Sequence, residues 1–140
     1  MTDIHIRPYT KADLDAVSEI WTAAFGADAP SKLVDQSISE KERFQPGLVF
    51  VAELDGRLVG TTIAGYDGYR GWLNGVAVHP DFQRRGIARE MVHHAIAKLQ
   101  TLGCLKVNLQ IRDGNEAVVS FYESLGFEVE KRISMGKLIG

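Results

Sequence analysis

Apolar positions change period along this chain, and the changes outline its elements. Ile4-His5-Ile6-Arg7 alternates every second residue, as a half-buried strand does, and stops at Pro8. From Asp13 to Phe25 the residues Leu14, Val17, Ile20, Trp21 and Ala24 recur at three- and four-residue spacing, which predicts a helix. A second, less regular helix is predicted from Ser31 to about Phe44, ended by Pro46-Gly47. Leu48 to Leu54 and Leu58 to Tyr66 read as strands joined by Asp55-Gly56, a hairpin turn signal. Trp72 to Val78 is a further strand, and Asn74-Gly75 inside it fits a bulge, because glycine weakens a regular strand. A long helix is predicted from near Arg85 to about Leu102, with Ile87, Met91, Ala95, Leu99 and Leu102 on its buried stripe and Gly103 at its end. Leu105 to Ile111 is read as a strand. Asn115 then opens a helix whose Val118, Phe121, Tyr122 and Leu125 share a face, and Phe127 to Ile139 is expected to supply one or two closing strands. Adjacent hairpins mixed with strand–helix–strand crossovers predict an α+β (mixed α/β) fold.

The 140 residues show no repeat or linker, so a single domain, 1–140, is expected. With 45% hydrophobic and 24% charged residues the composition is that of an ordinary folded protein. A formal net charge of −2 gives no global attraction to nucleic acid or to an anionic membrane, so any anion binding must be local. No apolar run approaches the roughly 20 residues of a membrane span. The start, Met1-Thr2-Asp3-Ile4-His5-Ile6, lacks the basic and apolar regions of a signal peptide. Cys104 stands alone and cannot form an internal disulfide. A cytoplasmic location is expected, with neither nucleic acid nor membrane as partner and with either one chain or a homodimer as the assembly.

Local anion chemistry is present in Gln83-Arg84-Arg85-Gly86-Ile87-Ala88-Arg89, where a strand and short loop run into the long helix. The first turn of a helix carries free N–H groups and partial positive charge. Gly86 removes a side chain that would hold a phosphate away, and Ala88 is nearly as small. Arg84, Arg85 and Arg89 oppose the helix dipole by roughly 0.3–1 kcal/mol each, unless an anion lies between them and the amides. The plainer alternative is a solvated helix start. Neither the dinucleotide fingerprint nor the P-loop pattern is present.

These residues resemble the GNAT superfamily of acetyl-CoA-dependent N-acetyltransferases. The family's Gln/Arg-x-x-Gly-x-Gly/Ala, after a strand ending in Val-x-Pro, matches Gln83 to Ala88 after Val78-His79-Pro80. A second family pattern, Asn-x-x-Ala/Val-x-x-Phe-Tyr-Glu-x-x-Gly-Phe, matches Asn115 to Phe127. The resemblance covers the whole chain and is nearest to small bacterial members similar to the ribosomal-protein alanine N-acetyltransferase. It implies a central, mostly antiparallel twisted sheet with about four helices, acetyl-CoA as co-substrate and a small-molecule amine or protein N-terminus as acceptor. It further implies that backbone groups of Val76, Ala77 and Val78 pair with the pantetheine arm, one N–H polarising the thioester carbonyl. Amides from Arg84 through Arg89, including those of Arg85, Gly86, Ile87 and Ala88, would hold the pyrophosphate. Asn115 would bond to the pantetheine arm, and Tyr122 would protonate the departing thiolate.

Tyr122 follows Asn115 by seven residues, which places both near one helix face. A phenol near pKa 10 would donate to a thiolate near 8.5 over a gap of about 1.5 units. Their plainer readings are a core aromatic and a helix cap. The departure from the family is Gln110: in the alanine acetyltransferase pattern a glutamate five residues before the motif asparagine is the general base, and an amide cannot accept that proton. Two consequences are possible, a low-pKa amine acceptor or deprotonation through water from Asp67, Tyr69, Glu53 or His79. A non-catalytic acyl-CoA sensor is the rival of a different class. A pocket closed by the segment 30–44 would favour a small amine, and an open groove would favour peptide. His93 and His94, adjacent on a helix, point apart and make no metal pair, and no metal is expected. Cys104 reads as packing. Tyr66-Asp67-Gly68-Tyr69-Arg70-Gly71-Trp72 is read either as acceptor-site lining or as a tight hairpin.

Overall fold

The computed structural model describes residues 3–26 and 30–140. The expected element order is observed up to the last helix: β1 (Ile4–Pro8), α1 (Leu14–Phe25), α2 (Ser31–Phe44), β2 (Val49–Leu54), β3 (Arg57–Tyr66), β4 (Gly71–Val78), α3 (Ile87–Thr101), β5 (Val107–Leu109) and α4 (Glu116–Ser124). Met1 and Thr2, part of the expected N-terminal reading, lie outside the described residues.

Residues up to Leu109 form one compact unit, and Gln110 to Gly140 form a second. The first unit holds the whole five-stranded sheet, in the order β1-β2-β3-β4-β5. Three neighbour pairs are antiparallel, and β4 with β5 is parallel, as a crossover through α3 requires. The strand β2 is apolar from Val49 to Ala52 and again at Leu54 because both its faces are covered there. Ala52 and Leu54 join Val59, Val78, Ile87 and Met91 in one core cluster, while Val49 and Val51 join Val17, Val34 and Ile38 in another. Gly60 permits the first contact: a β-carbon there would sit 2.8 Å from Met91 Cε and 3.2 Å from the Ala77 carbonyl. Cys104 is buried, as packing requires, and a β-carbon on Gly71 would lie 2.7 Å from its sulfur.

Two features of β4 shape its free edge. Its register against β3 steps from Thr61↔Ala77 to Ile63↔Asn74, so Gly75 and Val76 together oppose Thr62. This is the bulge anticipated at Asn74-Gly75, and Gly75 has φ +59°. On its other side β4 pairs with β5 only at Gly71, Trp72 and Leu73. From Asn74 onward no strand of the described sheet lies along that edge.

In the second unit, α4 is as expected but the closing strands are not found. Residues 127–140 contain no regular element, and Ile133, Met135, Leu138 and Ile139 are almost fully exposed. Period-two alternation is a requirement for a half-buried strand but not a cause of one. A strand forms only where a neighbouring edge takes up its N–H and C=O groups. The helix α3 also begins two residues after Arg85, and β5 is shorter than the span 105–111 read as a strand.

Candidate functional site

The apolar strand β4 delivers the chain to a tight connection. His79 Nδ1 accepts the Asp81 N–H at 3.2 Å, Pro80–Phe82 makes one short 3-10 turn, and Gln83 Nε2 donates to the Val78 carbonyl at 3.3 Å. Arg84 and Gly86 both take left-handed conformations, φ +64° and +80°, with Arg85 between them at negative φ. Such alternation turns amides toward a common concavity. Gly86 is the N-cap of α3 and no side chain caps the helix. The first intrahelical bond runs from the Glu90 N–H to the Gly86 carbonyl, so the amides of Ile87, Ala88 and Arg89 have no helical acceptor.

Space and charge match that need. A β-carbon built on Gly86 meets nothing within 4 Å, so the concavity is open and glycine is required there by its φ. Arg84, Arg85 and Arg89 are exposed and none is ion-paired among the described residues. Ile87 is 1% exposed, its side chain in the core beneath the turn and its amide at the helix start. This chemistry could hold a pyrophosphate. Gly86→Ala is expected to destabilise the fold by about 1–2 kcal/mol through the left-handed φ alone, as denaturant unfolding would read.

Arg57 is a neighbour the sequence reading did not anticipate. Its guanidinium lies 4.9 Å from the Phe82 ring centroid, and that of Arg85 lies 5.1 Å away. The aromatic thus gathers a fourth cation beside the turn. The one available sequence signal was an arginine directly after Asp55-Gly56, and its distance along the chain hid its relation to Phe82.

On β4 the outward-facing groups can be assigned by alternation. The His79 N–H donates to the Val59 carbonyl at 2.8 Å, so His79 and Ala77 turn their backbone groups toward β3. Those of Val78, and of Val76 at the bulge, turn toward the free edge. Ala77 therefore departs from the expectation that all three residues offer backbone groups to a ligand, and the Val78 carbonyl already has Gln83 as a partner.

In the second unit Asn115 precedes α4 and makes no side-chain cap bond, which sets aside its plainer reading. Tyr122 is buried, with Phe121 and Phe127 edge-on at 5.0 and 5.5 Å. Burial pushes its phenol up to about 12. Gln110 Nε2 donates to Ser134 Oγ at 2.8 Å.

The other groups considered as bases differ in their surroundings. Glu53 accepts from Arg7 at 2.6 Å. Asp67 accepts the amides of Arg70 and Tyr69 at 2.7 and 2.8 Å, which hold its carboxyl below the usual range. That is the geometry of the tight-hairpin reading of 66–72. The bond from Asp81 leaves the proton of neutral His79 on Nε2, 3.9 Å from Glu19. Tyr69 is 75% exposed and stacks with Arg70. His94 packs edge-on against Phe50, and no group of metal-ligating residues occurs among the described residues. No described helix is long and apolar enough to cross a membrane.

An α+β fold of this kind is what a group of known proteins shares with this chain. The model of the Acetyltransferase (GNAT) family matches residues 14–127. An acetyltransferase of Pectobacterium atrosepticum is 37% identical over 134 residues, covering 96% of this chain and 94% of that protein. One from Yersinia enterocolitica is 35% identical over the same coverage. Among solved structures, the aminoglycoside N-acetyltransferase AAC(6')-Iy in complex with CoA has a TM-score of 0.82 at 20% identity, covering 99% of this chain and 96% of that one. The ribosomal-protein-S18-alanine N-acetyltransferase of Escherichia coli has a TM-score of 0.75 at 27% identity, covering 91% and 78%. The chain belongs to the GNAT family of acetyltransferases. It is an acetyl-CoA-dependent N-acetyltransferase, with acetyl-CoA as its co-substrate.

Proposed function

We propose that the protein transfers the acetyl group to a low-pKa primary amine, such as an α-amine, by direct attack in a ternary complex. The observation that carries this reading is the juxtaposition of the open turn at Gly86 with the unpaired edge of β4. The amides of Gly86 to Arg89 and the guanidinium groups of Arg84, Arg85 and Arg89 hold the pyrophosphate. The outward N–H of Val78 pairs with the pantetheine arm as a strand would, and Asn115 is assigned to the same arm by the family pattern. Acetyl-CoA supplies an activated acetyl carbonyl carbon that an amine nitrogen can attack. The N–H of Val76 donates to the carbonyl oxygen, where negative charge develops. Tyr122 donates toward the leaving sulfur, and the proton that the attacking nitrogen sheds passes through solvent, so that the thiol and the phenol both end protonated.

Acceptor class follows from the amide at Gln110, which cannot take the amine's proton. At pH 7 a lysine-like amine near pKa 10.4 is neutral in about one molecule in 2,500, and an α-amine near 8 in about one in ten. Where no side chain takes the proton directly from the amine, the second is favoured by roughly two orders of magnitude. The likeness to an enzyme named for the alanine of ribosomal protein S18 supports an α-amine.

Thiol release from acetyl-CoA, followed with a peptide bearing a free N-terminal alanine and with an N-blocked lysine peptide, tests this. The α-amine is expected to react faster at pH 7, with the difference narrowing toward pH 10. Equal rates at pH 7 would contradict it. Binding of acetyl-CoA, seen as a thermal shift, without thiol release on any amine would favour the sensor reading. A Gln110→Glu variant is expected to gain rate below about pH 8, most of all on the lysine peptide.

A further inference from the structure

We infer that Trp21 and Thr61 act as positioning residues that aim the Val76 N–H at the edge of β4. Thr61 is 1% exposed and has a hydroxyl fully engaged. It donates to the Gly75 carbonyl at 2.8 Å and accepts from Trp21 Nε1 at 2.9 Å. Gly75 belongs to the bulge, where the β3–β4 ladder supplies no regular partner for the extra residue. A side chain on the neighbouring strand therefore does what the ladder does elsewhere.

The consequence follows from the planarity of one peptide unit. In a trans peptide the C=O and the following N–H point in opposite directions. Fixing the Gly75 carbonyl on Thr61 turns the Val76 N–H away from β3, to the side that β5 leaves open. The indole backs this arrangement from α1. A β-carbon on Gly75 would fall 3.0 Å from Ile63 Cδ1 and 3.6 Å from Trp21 Cζ2, so both side chains bound the space over the bulge. A donor aimed at developing charge loses its value steeply with angle, and removing one such donor costs about 100-fold or more in kcat. A misdirected donor is expected to cost about tenfold.

This inference rests on the role given above to the Val76 N–H, and one experiment separates the two. Acetyl-CoA labelled with carbon-13 at the thioester carbonyl is bound to the native chain and to Thr61→Val, Thr61→Ser, Trp21→Phe and Val76→Pro. The infrared carbonyl band is then compared with that of the free cofactor. The native chain and Thr61→Ser are expected to lower the band, Thr61→Val to lose most of that shift, and Trp21→Phe to lose part of it. The Kd for acetyl-CoA is expected to stay within about threefold, because the turn at Gly86 is untouched. Val76→Pro deletes the N–H itself, at an edge-facing position where a strand tolerates proline.

A native band in Thr61→Val, with the shift lost in Val76→Pro, would overturn the positioning role and leave the Val76 assignment standing. A native band in Val76→Pro, or no shift in the native chain, would remove that assignment as well. Should Thr61→Val fail to fold, Trp21→Phe carries the test, and a native band there overturns the inference.

Discussion

Tyr122→Phe is expected to lower kcat by about 100-fold or more while leaving the Kd for acetyl-CoA nearly unchanged. The variant keeps the ring that packs between Phe121 and Phe127 and removes only the hydroxyl. With the phenol near 12 and a thiolate's conjugate acid near 8.5, the gap is about 3.5 units, wider than an unperturbed tyrosine would give. So large a gap disfavours full proton transfer before the carbon–sulfur bond breaks. In the proposed mechanism the phenol donates to the sulfur as its charge develops. The same burial keeps the proton in place, so Tyr122 contributes no alkaline fall in kcat below about pH 11. Stability has the matching sign. The folded pKa lies above the unfolded value of 10, so the folded state retains the proton more tightly and stability falls as pH rises from about 10 through about 12. A kcat equal to that of the native chain would take Tyr122 out of the mechanism.

Arg85→Glu is expected to raise the Kd for acetyl-CoA by about 100-fold with little change in kcat at saturation. Loss of one charge-assisted contact is worth about 1.5–3 kcal/mol, and the new carboxylate would add repulsion to the same phosphates. Each 1.4 kcal/mol is tenfold in affinity. In the proposed complex the turn touches no reacting atom, so its binding energy is shared by ground and transition states. Since Arg85 is exposed, the ratio of variant to native Kd is expected to shrink as salt rises. Titration calorimetry at low and high ionic strength reads both effects. An unchanged Kd would leave the turn a solvated helix start.

The sequence made much of this site legible because its parts are local. The apolar strand, the glycine at 86 and the long helix are consecutive, and the Asn74-Gly75 pair marked the bulge by the poor fit of glycine in a strand. The left-handed φ of Arg84 was not legible, since no arginine signals it. Nor were the contacts among Trp21, Thr61 and Gly75, which lie 40 and 14 residues apart and meet only through sheet register and helix packing. Arg57 reaches Phe82 the same way. The segment 127–139 failed for the opposite reason. Its alternation is local, but a strand depends on an edge elsewhere, and alternation cannot report whether one is present. Asn115 and Tyr122 were singled out through the family pattern, while the burial that raises the phenol depends on packing that helical spacing alone does not measure.

The central claim is that the turn from Gln83 to Ala88 receives the pyrophosphate of acetyl-CoA. Backbone amide NMR of the nitrogen-15-labelled chain during an acetyl-CoA titration tests it directly. The amides of Gly86, Ile87, Ala88 and Arg89, together with those of Val76 and Val78, are expected to shift most and to saturate together at one equivalent. Saturation with those amides unmoved, and the largest shifts elsewhere, would contradict it.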